Sequence, residues 1–131
     1  MTFPRITLWV SAAAWAAFGL WLLFDPAALA NAEVAVDTPT ARTEVRAFYG
    51  GLELGVAAAL AWLALRSATA DGLRVALVTI AGVFACRTLG AVLEGGGVRP
   101  IIWLLGAVEI VSAAITLAAL RVETRAAPAA D

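Results

Sequence analysis

Apolar residues fall into four long runs, separated by three polar or glycine-rich interruptions. Ile6–Phe24 carries no charge, and Ala47–Leu65 carries only Glu53. Leu73–Leu93 has Arg74 near its start and Arg87 within it, and Ile101–Leu120 has only Glu109. At about 1.5 Å per residue each run covers roughly 28–32 Å, the thickness of a bilayer's hydrocarbon core. The pattern predicts an all-α fold, a four-helix transmembrane bundle with spans over 6–24, 47–65, 73–93 and 100–120. These make a single domain over 1–131, with a polar, frayed tail at 121–131.

The interruptions carry stop and start signals. Asp25-Pro26 closes the first run, and Thr38-Pro39 reads as an N-cap followed by proline at the first helical position. Asp71-Gly72 is the sharpest turn signal in the second interruption, Ser67–Gly72. Glu94-Gly95-Gly96-Gly97 ends the third run, and Pro100 opens the fourth. The first run has a rival reading as a secretory signal, because Arg5, the apolar stretch and Ala30-Asn31-Ala32 resemble its three regions. Its length and its three tryptophans favour a retained first span.

Composition agrees with lipid as the solvent: 63% of the 131 residues are hydrophobic and 15% charged, against about half and a quarter in soluble domains. A net charge of -1 leaves no electrostatic footprint for nucleic acid. The single cysteine, Cys86, excludes an intramolecular disulfide or a Cys-x-x-Cys pair. The absence of histidine excludes imidazole metal ligation and imidazole acid–base catalysis. No metal and no cofactor are expected. All nine basic residues are arginine, which with the abundant alanine reads as coding bias of a GC-rich bacterial genome.

Four spans put both termini on one side. That side holds Arg5, Arg66, Arg74, Arg121 and Arg125, and the other holds Arg42, Arg46 and Arg99. The bias of five against three predicts cytoplasmic termini in a bacterial inner membrane.

The chemistry lies in the charges inside the runs. Glu53 is about 10 Å below the loop end of its span, Arg87 a similar distance, and Glu109 about 13 Å, so the three share one layer. An ionised side chain at mid-span costs at least ~2.5 kcal/mol, so each needs a partner or a cavity. At 100° per residue Arg42, Arg46, Tyr49 and Glu53 lie within about 40° of one another, a polar stripe leading to that layer. The expected arrangement pairs Arg87 with one or both glutamates and lets Tyr49 donate to a carboxylate. Arg46 then reaches down, or one glutamate holds a proton. Gly51 and Gly55, and Gly82 with Cys86 and Gly90, form small-residue ladders expected to bring helix backbones together.

The run Arg46-Ala-Phe-Tyr49-Gly50-Gly51, with Glu53 and Gly55 after it, resembles a group of short bacterial four-helix membrane proteins classed as a domain of unknown function. That group is similar to the broader DoxX-like four-helix set. Arg87-Thr-Leu-Gly90, Pro100 and Glu109 extend the resemblance over nearly the whole chain. It implies architecture and location, and no catalytic role. Some DoxX-like relatives are linked to quinone-coupled sulfur or thiol oxidation, from which this chain departs in having one cysteine.

Three functions follow from these readings. The leading one is a non-enzymatic accessory, scaffold or assembly protein whose Glu53–Arg87–Glu109 layer fixes helix register. Its partners would be the bilayer and either another protein or a second copy of itself. The alternative is a small-molecule or lipid binder, or a proton-coupled transporter, using that layer. The third, which rests on the resemblance, is a quinone- or lipid-linked membrane oxidoreductase.

Overall fold

A computed structural model describes Met1–Ala126, and the described residues are almost entirely helical. Helix α1 spans Phe3–Phe24, with Pro4 in its first turn, where its missing N–H costs nothing. A seven-residue 3-10 helix, Pro26–Ala32, follows within the first polar connection and ends at Glu33 in the left-handed region (φ 62°). Helix α2 (Pro39–Val45) starts where Thr38 accepts a hydrogen bond from the Ala41 N–H at 3.1 Å.

Between α2 and the next α-helix, α3 (Leu52–Leu65), the backbone adopts a π-helical turn over Arg46–Gly51. The Leu52 N–H reaches back five residues to the carbonyl of Ala47. This wide turn contains the whole Arg-Ala-Phe-Tyr-Gly-Gly run. Two adjacent glycines hold an α-helix poorly, and the turn does not break the rod: Pro39–Leu65 is one continuous helical stretch.

Helix α4 spans Thr69–Leu93, so its first turn includes Asp71-Gly72, where the sequence signals a turn. The chain reverses earlier, around Ser67 (φ 58°). Asp71 suits a helix N-terminus and pairs with Arg74 at 2.6 Å. Gly72 is needed for packing: a Cβ there would lie 2.7 Å from Leu8 Cδ2. At the other end Gly95 and Gly96 take positive φ, and the Gly96 N–H bonds back to the Ala91 carbonyl at 2.8 Å, closing α4. Helix α5 spans Pro100–Ala126. Residues 121–126, expected in a frayed tail, therefore continue the helix, and the rest of that tail lies outside the described residues.

Four stretches are long and apolar enough to cross a membrane: Phe3–Phe24, Pro39–Leu65, Thr69–Leu93 and Pro100–Ala126. Helix α1 packs most extensively on α3, and α4 on α5. Helix α1 also touches α4 and α5, whereas α3 and α5 make next to no contact. The densest core lies toward the end that carries the N-terminus, where Leu8, Ala12, Leu60, Ala64, Leu73, Ala76 and Ala119 are buried together. Leu8 and Ala12 make α1 an integral part of this core. The opposite end, with the two long connections, is the loop end, and Glu53, Arg87 and Glu109 lie in that half.

Candidate functional site

The geometry begins with one ion pair. Arg87 on α4 donates from Nε to both carboxylate oxygens of Glu109 on α5, at 3.0 and 3.2 Å, and from Nη2 to Oε1 at 2.7 Å. Their side chains are 25% and 15% exposed. Arg87 lies six residues before Leu93, about 9 Å from the loop end of α4. Antiparallel α5 brings Glu109 to the same height. The fork-on-carboxylate contact fixes both the height and the rotation of α4 against α5.

Glu53 stands apart from this pair. It continues the inward face of α3, with Ala57, Leu60 and Ala64 following at three- and four-residue steps, and it is 8% exposed. Its Oε2 is buried without a hydrogen-bond partner, and no hydrogen bond or ion pair among the described residues involves it. The expected three-residue layer is thus an Arg87–Glu109 pair and a solitary carboxyl. The packing explains the split: α4 lies much more closely on α5 than on α3, α3 and α5 scarcely meet, and the near side of the Arg87 guanidinium is already occupied.

The polar stripe from Arg42 to Glu53 is broken by the π turn. Buried positions step by five across it, from Val45 to Gly50, before returning to steps of three and four. The extra residue rotates Arg46 and Tyr49 away from Glu53. Tyr49 is 44% exposed, and its hydroxyl meets no carboxylate among the described residues. Arg46 does not descend toward Glu53: its Nε donates to the Leu23 carbonyl at 3.0 Å, one of the carbonyls that α1 leaves open at its C-terminus. Arg42 likewise serves backbone, donating to the carbonyls of Val36 and Asp37.

The glycine ladders also lie elsewhere than expected. Around Gly55, Gly82 and Gly90 nothing stands within 4 Å of where a side chain would be, and Gly51 meets only the carbonyl of Arg46 in its own helix. Cys86, expected in a packed ladder, is exposed. The close helix approach is at Gly19 and Gly50. A Cβ on Gly19 would lie 3.0 Å from the Gly50 carbonyl and from the Leu54 N, and one on Gly50 would lie 3.2 Å from Leu23. The π turn and α1 are therefore in backbone contact. Gly19 stands alone in an apolar helix with no small partner at the ladder spacing, so a motif search passes over it.

On the loop-end half, α4 and α5 leave a groove of about 240 Å³ between them. Phe84, Arg87 and Thr88 line it from α4, and Trp103, Gly106 and Ala107 from α5. Neither Glu53 nor Glu109 lines it. Trp103 is a groove residue as well as an exposed aromatic near the helix end. Above the helices, Arg99 pairs with Glu33 at 3.0 Å and ties the start of α5 to the first connection. Among the described residues no three cysteine, aspartate or glutamate side chains converge as a metal ion would require.

Residues 3–120 match the model of a family described as a domain of unknown function, DUF4345. Searches of curated proteins and of solved structures give no match.

Proposed function

The chain belongs to the DUF4345 family, a domain of unknown function, and from its own residues we propose that it is a non-enzymatic accessory or assembly protein of the bacterial inner membrane. In this reading its four long helices form a transmembrane bundle with both termini in the cytoplasm, as the arginine bias of the connections supports. The observation that carries the reading is the Arg87–Glu109 pair. The strongest polar group in the spans is spent on another helix of the same chain, with donor and acceptor matched bidentately. Hydrophobic association offers little to helices in lipid, so a partly buried ion pair is an economical way to fix how α4 meets α5.

An accessory role predicts a stoichiometric protein partner that survives extraction in mild detergent and purification through a tag on this chain. A monodisperse preparation with nothing attached would remove the main support for that role.

One observation favours a second reading, a binder or proton-coupled transporter. Glu53 has a buried carboxyl oxygen without a partner, a placement that costs stability and returns no contact. An intramembrane carboxyl of that kind suits a site that takes up a proton or a hydrogen-bond donor. Under this reading Glu53→Gln leaves the fold intact and abolishes proton-linked uptake in proteoliposomes. Uptake unchanged by the substitution would dismiss it.

A further inference from the structure

The groove between α4 and α5 has a charged donor that the described residues do not fully satisfy. A guanidinium carries five N–H donors, and Arg87 uses Nε and Nη2 on Glu109. Its Nη1 makes no hydrogen bond among the described residues. Nor is it sealed off, because the buried unpartnered side-chain atoms among those residues are Arg5 Nε and Glu53 Oε2. Arg87 lines the groove, so this donor edge is reachable from it. Arg87 lies within a helix long and apolar enough to cross a membrane, where an unmet donor is unfavourable. The occupant of the groove is therefore expected to bring an acceptor.

Charge and shape narrow the occupant further. Glu109 already neutralises Arg87, so a second carboxylate would leave a net negative charge in a low-dielectric setting. The fitting acceptor is neutral, a carbonyl oxygen. Apart from the Thr88 hydroxyl the remaining lining is apolar, with Phe84 and Trp103 beside the small Gly106 and Ala107, which suits an aliphatic chain. A volume of about 240 Å³ suits part of one chain rather than a whole phospholipid. We propose that the α4–α5 groove binds a neutral single-chain amphiphile, a fatty-acyl ester, with its carbonyl oxygen on Arg87 Nη1 and its chain along Phe84, Trp103 and Ala107. The site requires no protein partner and makes no use of Glu53, so its failure would leave both the accessory role and the proton reading of Glu53 standing.

The test uses the full chain in mild detergent, titrated with methyl oleate, with oleate and with the alkene of matching chain length, and read by native mass spectrometry. The ester is expected to give a one-to-one adduct. The alkene should bind about tenfold more weakly, since a hydrogen bond to a charged donor is worth roughly 1.5 kcal/mol or more. Oleate should also fall below the ester. Ala107→Phe fills the groove at an exposed position and should abolish the adduct. Arg87→Lys keeps a cation for Glu109 but gathers its donors on one nitrogen at the carboxylate, with none on a separate Nη1 facing the groove, and should lower ester binding toward that of the alkene. Equal binding of ester and alkene, preference for oleate, absence of any adduct, or an adduct that survives Ala107→Phe would each overturn the proposal. The comparison of the three ligands on the unmodified chain holds even if a variant fails to fold.

Discussion

Arg87 turns its Nε and Nη2 toward Glu109, and nothing of comparable strength reaches Glu53. Two carboxyls placed at similar heights in apolar helices thus have opposite surroundings. One is held by a guanidinium fork between α4 and α5, and the other continues the buried face of α3 with an unpartnered oxygen. The first arrangement organises the fold, and the second is a cost to it.

That cost is measurable. Replacing Glu53 by Gln or Leu should leave stability unchanged or raise it by about 1–2 kcal/mol, because no partner is lost and a buried polar oxygen is removed or made less demanding. Unfolding in a detergent–denaturant titration would report it. Destabilisation beyond about 1 kcal/mol in both variants would mean that Glu53 holds a structural contact.

The backbone contact between Gly19 and Gly50 predicts a sharp contrast among glycines. Gly19→Ala puts a methyl 3.0 Å from the Gly50 carbonyl and the Leu54 N, both main-chain atoms, and should cost about 1–3 kcal/mol. Gly55→Ala and Gly82→Ala meet nothing within 4 Å and should be neutral or stabilising, by up to about 1 kcal/mol from helix preference. Thermal melts of the three variants side by side would show the order. A reversed order would place the close contact on the Gly51–Gly55 ladder instead.

Arg46 serves the end of α1. Arg46→Ala removes the donor to the Leu23 carbonyl and should cost about 1 kcal/mol, in line with an exposed cap. Hydrogen exchange at the last turn of α1 and in the π turn should rise together in this variant, while the Leu8–Leu60–Leu73 core keeps its protection. Faster exchange around Glu53 without change at α1 would instead favour a role for Arg46 in the polar layer.

Periodicity and charge-free length made the four long helices legible, and Thr38-Pro39 and the glycine run after Glu94 marked ends correctly. The misreadings have local causes. Asp71-Gly72 reads as a turn because nothing in the sequence says that Leu8 of α1 needs the space of a missing side chain. The stripe from Arg42 to Glu53 assumed 100° per residue, and the π turn at Arg46–Gly51 adds a residue that rotates its upper half away. The ladders at Gly51–Gly55 and Gly82–Gly90 matched a spacing that alanine-rich helices offer freely. The Arg87–Glu109 pairing was within reach of helix heights alone. Which glutamate Arg87 would choose depended on α4 packing more closely on α5 than on α3, and that is a property of the packing.

The central claim is that the Arg87–Glu109 pair holds α4 to α5, and its most direct test is a double-mutant cycle with leucine at both positions. Breaking the pair from either side leaves a partly buried charge without its partner, so each single change is predicted to cost roughly 3 kcal/mol. The double variant Arg87→Leu/Glu109→Leu should cost far less than their sum, with a coupling of about 2 kcal/mol or more. Additive losses, with coupling under about 0.5 kcal/mol, would contradict the claim and return both residues to the search for a chemical role.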